Sequence, residues 1–441
     1  MSASSEITQL QQQQQVPRWC PATRVAFRFC FVYFGLFCLA TQILGSLMPI
    51  PKVDIPDLQS LWPIRPVILW VAAHILRIAH PIAYADTGSG DRTFDWIVAL
   101  VLLNVAAVAT VIWSFLDRRR QNYVTLHKWF RLFIRFSLAS QMITYGMVRI
   151  IPLQMPYPFL TRLLEPFGNF SPMGVLWSSI GSSPAYETFA GCAEMLGGIL
   201  LIAPRTATLG ALVCLADITQ VFVLNMTYDV PVKLLSFHLL LLAVILLAPD
   251  LSRLADFFLR NRATEPPRAP QLFGARRKNR IALDAQIALG IWIVGWNAYG
   301  GWSAWHKYGG ARPRSALYGI WDVEQLSIDG QLRAPLLTDY GRWRRVIFDF
   351  PERMAFQRMD NSFPSYGAAI NVDDQTLALT KSGDKNWKAV FHFARPAENQ
   401  LTLDDDMDGH AIHMDLQLLD RNKSLLVSRG FHWIQESPYN R

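Results

Sequence analysis

The sequence predicts a polytopic α-helical membrane protein of about seven spans, followed by an all-β antiparallel barrel or sandwich. Three observations carry this reading. Of 441 residues, 51% are hydrophobic and 17% charged, where an average soluble chain carries roughly a quarter charged. Apolar runs long enough to cross a bilayer recur through the first two thirds of the chain, and beyond about Tyr318 the pattern changes to short alternating runs. The 26 Phe and 15 Trp exclude a disordered chain.

Charge divides the same way. Residues 315–441 hold 14 Lys/Arg and 18 Asp/Glu, net −4, so residues 1–314 carry +12 of the total +8. A basic apolar part beside an acidic polar part does not describe a nucleic-acid binder; it describes membrane topology.

Taken in order, residues 1–24 form a cytoplasmic tail, Gln-rich and disordered over Met1–Gln15 and without the basic start of a signal peptide. The run Val25–Met48 exceeds a signal-peptide core and lacks a small-x-small cleavage site, so it is read as the first span. A second span, Phe94–Leu116, completes a region 25–125 with an external interfacial loop. Within that loop Val67–Ala83 carries His74, Arg77 and His80 between Pro66 and Pro81, which suits a short helix lying in the interface or dipping into the bundle. Residues 126–250 supply four spans, Trp129–Arg149, Ala185–Ala203, Ala207–Met226 and Val232–Leu247. A basic cytoplasmic linker, 251–280, precedes the seventh span within 281–305 (Ile281–Trp302), and the β domain occupies 315–441.

Orientation follows from Lys and Arg, which accumulate on cytoplasmic loops. With the N-terminus inside, the cytoplasmic segments hold 15 Lys/Arg in 73 residues and the external ones 7 in 88. Arg118, Arg119, Arg120, Arg205, Arg276, Arg277, Lys278 and Arg280 carry the bias, and an odd number of spans then places the β domain outside. Trp residues such as Trp19, Trp129 and Trp302 fall near span ends, as an interfacial belt requires.

The β domain reads as Trp321–Ile328, Arg342–Phe350, Arg353–Met359, Gly367–Val372, Thr376–Thr380, Trp387–Phe393, Gln400–Leu403, Ala411–Leu418 and Leu425–Trp433. Asp404, Asp406, Asp408 and Gly409 match a calcium-loop pattern, but their flanks alternate as strands, so an Asp-Gly hairpin is preferred. The cysteines Cys20, Cys30, Cys38, Cys192 and Cys214 show no metal or redox spacing.

Ionisable residues inside a bilayer cost about 2.5–3.5 kcal/mol each on insertion scales and so mark a polar interior or a site. The third span places Arg131, Arg135, Tyr145 and Arg149 on one face. The fourth aligns Glu187 and Glu194 with Gly191 and Gly198, the fifth aligns Asp217, Gln220 and Tyr228, and the sixth opens with Lys233 and carries His238. The expected ligand-binding set is Arg135, Tyr145, Glu187, Glu194, Asp217, Gln220, Lys233 and His238, with Arg135, Glu194 and Asp217 deepest. A quinone carbonyl, a lipid headgroup or a transferred proton suits such a cluster; ion pairs that only fix helix register suit it equally. Arg131 and Arg149 are expected to snorkel to opposite surfaces. Haem is not expected, because His238 has no second mid-membrane histidine, and neither structural zinc nor another metal site is implied; the cofactor stays unknown.

Two external segments complete the reading. Gly88–Thr93 forms a turn with Asp91 or Thr93 as N-cap of the second span, or an anion site. The proline- and aromatic-rich 152–184 is a structured loop expected to cap the bundle.

From Arg131 through Gln141, Tyr145, Gly146 and Arg149, then Glu194-x-x-Gly197-Gly198, Arg205-Thr206 and the polar fifth span, residues 126–250 resemble the four-helix core of DoxX-like bacterial membrane proteins. The resemblance implies a bacterial membrane protein with a redox or quinone association; with the Lys/Arg orientation above, the expectation is a multi-pass protein of the cytoplasmic (inner) membrane whose β domain is periplasmic or extracellular. No nucleophile triad, phosphate loop or dinucleotide fingerprint is present, so an enzyme is neither implied nor excluded. Expected partners are the lipid bilayer, a quinone or lipid, and an envelope protein. The alternative is a non-enzymatic receptor or assembly protein, whose β domain binds an envelope partner or an apolar ligand. Two spans before the core, one after it and the β domain depart from a minimal DoxX-like protein.

Overall fold

A computed structural model describes residues 18–51, 53, 55–82, 84, 87–264 and 271–440. The tail Met1–Gln15 lies outside them. The chain forms two compact units, one comprising residues up to Ile150 with Thr188–Gly301, the other Ile151–Glu187 with Trp302–Arg441.

The first unit is helical: α1 (Pro21–Ala40), α2 (Ile43–Leu47), α3 (Ile64–His74), α4 (Thr93–Leu116) and α5 (Val124–Ile150). After α6 (Pro172–Gly181), which belongs to the second unit, come α7 (Pro184–Ile202), α8 (Ala207–Thr227), α9 (Lys233–Leu247), α10 (Leu251–Phe258) and α11 (Arg276–Lys307). Pro21 opens α1 where its missing N–H has no intrahelical partner to lose. Asp95 at the start of α4 accepts the Arg92 backbone N–H at 3.1 Å and pairs with its guanidinium at 2.8 Å. Arg92 is therefore the N-cap, in place of the expected Asp91 or Thr93. Asp91 serves another helix: its two oxygens accept the N–H groups of Lys233 and Leu234, each at 2.8 Å, closing the start of α9.

Among the described residues, six helices are long and apolar enough to cross a membrane: Pro21–Ala40, Thr93–Leu116, Pro184–Ile202, Ala207–Thr227, Lys233–Phe258 and Arg276–Lys307. Their exposed surfaces are apolar, as at Val108, Ile112, Leu116 and Ile291. This is a multi-pass membrane protein whose helices contact the lipid bilayer. The remaining expected span, Trp129–Arg149, lies within α5, whose Lys128, Arg131, Arg135 and Arg149 make it too polar to stand with the six. Of the stretch Val67–Ala83, Val67–His74 is helical and forms most of α3, and Ala83 lies outside the described residues.

The second unit is an antiparallel barrel of β1 (Gly319–Ile328), β2 (Gln331–Leu332), β3 (Trp343–Phe350), β4 (Arg353–Arg358), β5 (Ser365–Asn371), β6 (Thr376–Lys381), β7 (Asp384–Ala397), β8 (Gln400–Met407) and β9 (His410–Leu418). Strand β1 pairs with both β3 and β9, closing eight strands, while β2 is a short arm on β1. Trp321, Trp343, Phe348, Phe356 and Phe391 fill the interior, as expected of a barrel this small. Their neighbours Ile320, Ile347 and Ala355 point outward and are covered by Leu160, Leu163 and Leu164. The 152–184 segment, expected to cap the bundle, thus packs on the barrel wall. Asp349 fixes it there, accepting the Leu160 N–H at 2.9 Å and pairing with Arg312 at 2.6 Å.

Asp408 (φ 55°) and Gly409 (φ 82°) make the tight β8–β9 turn, so the Asp-rich motif closes a hairpin. The expected last strand, Leu425–Trp433, is absent. Leu425–Ser428 is a short helix, α12, and a barrel closed by β1–β9 leaves no edge to extend.

Candidate polar site in the helical bundle

Helix α5 is the polar axis of the first unit. Its 27 residues would reach roughly 40 Å at about 1.5 Å per residue, and 13 of them are buried, including Arg135, Ser137, Ser140 and Gln141. It runs antiparallel to α7 in close contact: a Cβ on Gly146 would lie 2.8 Å from the Met195 nitrogen, and one on Gly191 would lie 2.6 Å from that of Ile150. Gly198 meets Ala139 and Ile143 in the same way. Glycine is required here because the backbones touch. On its other side α7 meets α8, with Gly197 against Cys214 and Gly210 against Leu201. That antiparallel register sets Asp217 opposite Glu194.

The carboxylate of Glu194 accordingly meets groups from two helices. Its Oε1 pairs with Arg149 Nη1 at 2.8 Å, both side chains nearly buried, and Asp217 lies within electrostatic reach of Glu194 and Arg149. Two oxygens, Glu194 Oε2 and Asp217 Oδ2, are buried without a hydrogen-bond partner among the described residues. One turn before Arg149, the Tyr145 hydroxyl accepts from Gln42 Nε2 at 2.8 Å. Gln42 also donates to Gln141 Oε1 at 3.3 Å. Tyr145, Gln42 and Phe37 line a cavity of about 810 Å³ that extends toward Gln59, Arg92 and Asp95. Arg149, expected to snorkel outward, is held inside by its carboxylate partner.

Arg135 stands apart from this cluster. It shares the face of Arg149 but lies 14 positions earlier, about 21 Å along the axis. Its Nη2 donates to Gln286 Oε1 on α11 and to the Ile202 carbonyl at 3.4 Å. Its Nε is buried without a partner. Arg135 lines a second cavity, of about 460 Å³, with Lys128, Arg131 and Arg205. Arg131 donates to the Leu246 carbonyl at 3.0 Å and lies 3.7 Å from Asp250. The expected trio is therefore divided: Glu194 and Asp217 come together, with Arg149 in the place expected for Arg135.

The other expected residues are dispersed. Glu187 Oε1 accepts the Met155 N–H at 2.9 Å within the second unit. Gln220 is exposed. Lys233 pairs with Asp229 at 2.8 Å and lies 3.8 Å from Asp91. His238 bonds to the Tyr33 hydroxyl at 2.8 Å and the Leu234 carbonyl at 2.7 Å while stacking on Phe37 at 3.8 Å, so both ring nitrogens are engaged. Among the described residues no group of three or more His, Cys, Asp or Glu is placed to hold a metal ion.

Sequence reasoning missed Gln42, Gln286 and the Arg28 clamp, in which Arg28 donates to Tyr123 at 2.6 Å and to Ser114 at 2.7 Å. Gln42 and Gln286 carry no charge to flag them; Arg28, four residues into the first apolar run, is the one whose position offered a signal.

No family model and no solved structure matches the chain. A curated relative, "Uncharacterized protein YwoB" of Bacillus subtilis (strain 168), is 29% identical over 138 residues, covering 29% of this chain and 79% of that protein.

Proposed function

We propose that the chain is a DoxX-like module of the bacterial cytoplasmic membrane, associated with quinone redox chemistry through the Arg149–Glu194–Asp217 site. The observation that carries this reading is the pair of buried oxygens, Glu194 Oε2 and Asp217 Oδ2, that no donor among the described residues answers. Two carboxylates face one guanidinium, which leaves acceptor capacity and negative charge in a medium where both are costly. A membrane-borne ligand carrying hydroxyl or carbonyl groups would meet them.

The residues fit a quinone headgroup. Arg149 and the Tyr145 hydroxyl can donate to a carbonyl, and Glu194 and Asp217 can accept from the hydroxyls of the reduced form. Of these residues Tyr145 alone lines the 810 Å³ cavity, which falls in the size range of small-molecule pockets, about 300–1,000 Å³; Arg149, Glu194 and Asp217 lie outside its lining. Such a group would supply electron and proton transfer between membrane components; the chain would hold and orient its head and keep a proton at Glu194 or Asp217.

The orientation has support of its own. Four membrane-crossing helices separate the 151–183 loop from the barrel, an even number, and both belong to one compact unit. The Lys/Arg bias then supports a periplasmic or extracellular side for that unit.

The test is quinone content. Full-length protein purified in mild detergent and extracted into organic solvent is expected to yield near-stoichiometric quinone. Glu194→Gln should lose most of it while keeping the wild-type gel-filtration profile and helical circular dichroism. Wild-type protein without quinone, or Glu194→Gln with wild-type content, overturns the reading.

One observation favours the alternative of an envelope receptor or assembly protein. Phe431, Trp433 and Ile434 are 76%, 90% and 81% exposed beyond the barrel, an apolar cluster suited to an envelope partner. The filled barrel interior gives an apolar ligand no comparable place.

A further inference from the structure

We infer that the end of the bundle around Arg135 binds an anionic phospholipid, its phosphate in the basic cavity and its acyl chain in an adjoining groove. This goes beyond the quinone reading and concerns the opposite end of α5. The cavity wall carries Lys128, Arg131, Arg135 and Arg205 against one carboxylate, Asp250. That carboxylate is already engaged, by Arg253 at 2.7 Å and the Thr208 hydroxyl at 3.0 Å. The cavity therefore presents a surplus of positive charge.

Arg135 is the informative member. It is 8% exposed, and no carboxylate among the described residues forms an ion pair with it. It donates to an amide oxygen and a backbone carbonyl and lies over the Phe136 ring at 5.4 Å, and its Nε has no hydrogen-bond partner among the described residues. A guanidinium at this depth is stabilised when an anion reaches it.

The second feature gives the ligand its tail. A groove of about 660 Å³, lined by Trp129, Phe133, Phe136, Phe273 and Leu289, shares Leu132, Leu272, Ala282 and Gln286 with the basic cavity. An apolar channel opening into a cationic pocket matches an amphiphile, where a free phosphate would use only half of it. The pocket also lies among the basic turns, Arg205 and the Arg276–Arg280 stretch, the side on which anionic headgroups gather and basic pockets between helices hold them.

Native mass spectrometry of the full chain in detergent, titrated with dioleoylphosphatidylglycerol, dioleoylphosphatidylcholine or glycerol phosphate, tests the assignment. The anionic lipid should bind tightest. Arg205→Gln, at an exposed position, should weaken it about fivefold, the factor expected for one basic group at an anionic surface. Ala285→Trp, filling the groove that Lys278 also lines, should weaken both lipids. Glu194→Gln should leave lipid binding unchanged, which separates this site from the quinone reading. Equal binding of the two lipids, glycerol phosphate binding as well as the anionic lipid, or wild-type affinity in both Arg205→Gln and Ala285→Trp overturns the proposal.

Discussion

The helical bundle and the barrel both bury apolar side chains, but they differ in what they turn outward and in how many polar groups the helices enclose. The bundle encloses Arg28, Arg135, Gln141, Glu194 and His238 and turns Val108, Ile112, Leu116 and Ile291 outward; the barrel encloses Trp321, Phe348, Phe356 and Phe391 and turns Asp404, Asp408, His410 and His413 outward. Each hides what its surroundings would not accept. For the barrel those surroundings are water, and apolar burial drives the fold. For the bundle they are hydrocarbon, which is as apolar as leucine, so tight glycine contacts and polar pairs must do the joining. The inversion is independent of hydropathy counts and supports the same membrane assignment.

Mirror-image substitutions test that contrast most strongly. In the bundle, Arg149→Met strands Glu194 and should cost about 3–5 kcal/mol, the usual penalty for breaking a buried pair from one side. In Arg149→Met/Glu194→Leu part of that should return, because the Glu194 charge goes with its partner and only the half-buried Asp217 is left without a cation. In the barrel, Phe356→Ala removes an interior ring and should also cost about 3–5 kcal/mol, with no second substitution to a polar residue able to restore it. Thermal unfolding of the full chain, followed by circular dichroism in the far and near ultraviolet, measures both. A double variant no more stable than Arg149→Met would mean that the bundle does not treat the pair as a charge problem.

Outward positions should respond in the reverse sense and more mildly. Ile112→Lys on α4 places a charge in lipid and should cost about 2.5–3.5 kcal/mol if it lies near mid-membrane. Val372→Lys, on the exposed turn after β5, should change stability by less than about 0.5 kcal/mol. Similar effects at the two sites, in insertion yield or melting temperature, would remove the claim that the units face different solvents.

How much of this was legible in the sequence depends on the period being read. Alternation located strands such as β6, β8 and β9, along which buried and less buried residues take turns, whereas β3 and β4 are buried on both faces because the 152–184 segment covers their outer side. It failed at Leu425–Trp433, where composition was strand-like but the barrel had no free edge, a fact of topology. In the bundle, angular position placed Arg135 and Arg149 on the same face correctly. It could not say which carboxylate each would meet, since that depends on distance along the axis and on the register of α5, α7 and α8. The stripe of Glu187, Gly191, Glu194 and Gly198 was legible for a simpler reason: α7 touches α5 through its glycines, and Glu194 lies on the same stripe.

The smallest effect lies on the barrel surface, where histidines meet carboxylates in water. The hydrogen bond to Asp404, with Asp415 nearby, pushes the His413 imidazole above its ordinary value, and Asp329 does the same for His410. A base whose pKa is raised on folding stabilises the fold while it is protonated in both states. The contribution is therefore complete below about pH 6.5, the ordinary histidine value, and fades as pH rises through the higher folded value. Both residues are exposed, so screening keeps the effect small. Melting temperatures of wild type and His413→Gln, compared from about pH 5 to about pH 8.5, should differ most at the acid end and converge toward the alkaline end. A gap that widened with pH would show that His413 acts through its neutral form, in which case the exposed carboxylates of β8 and β9 would no longer be the reason it is held in place.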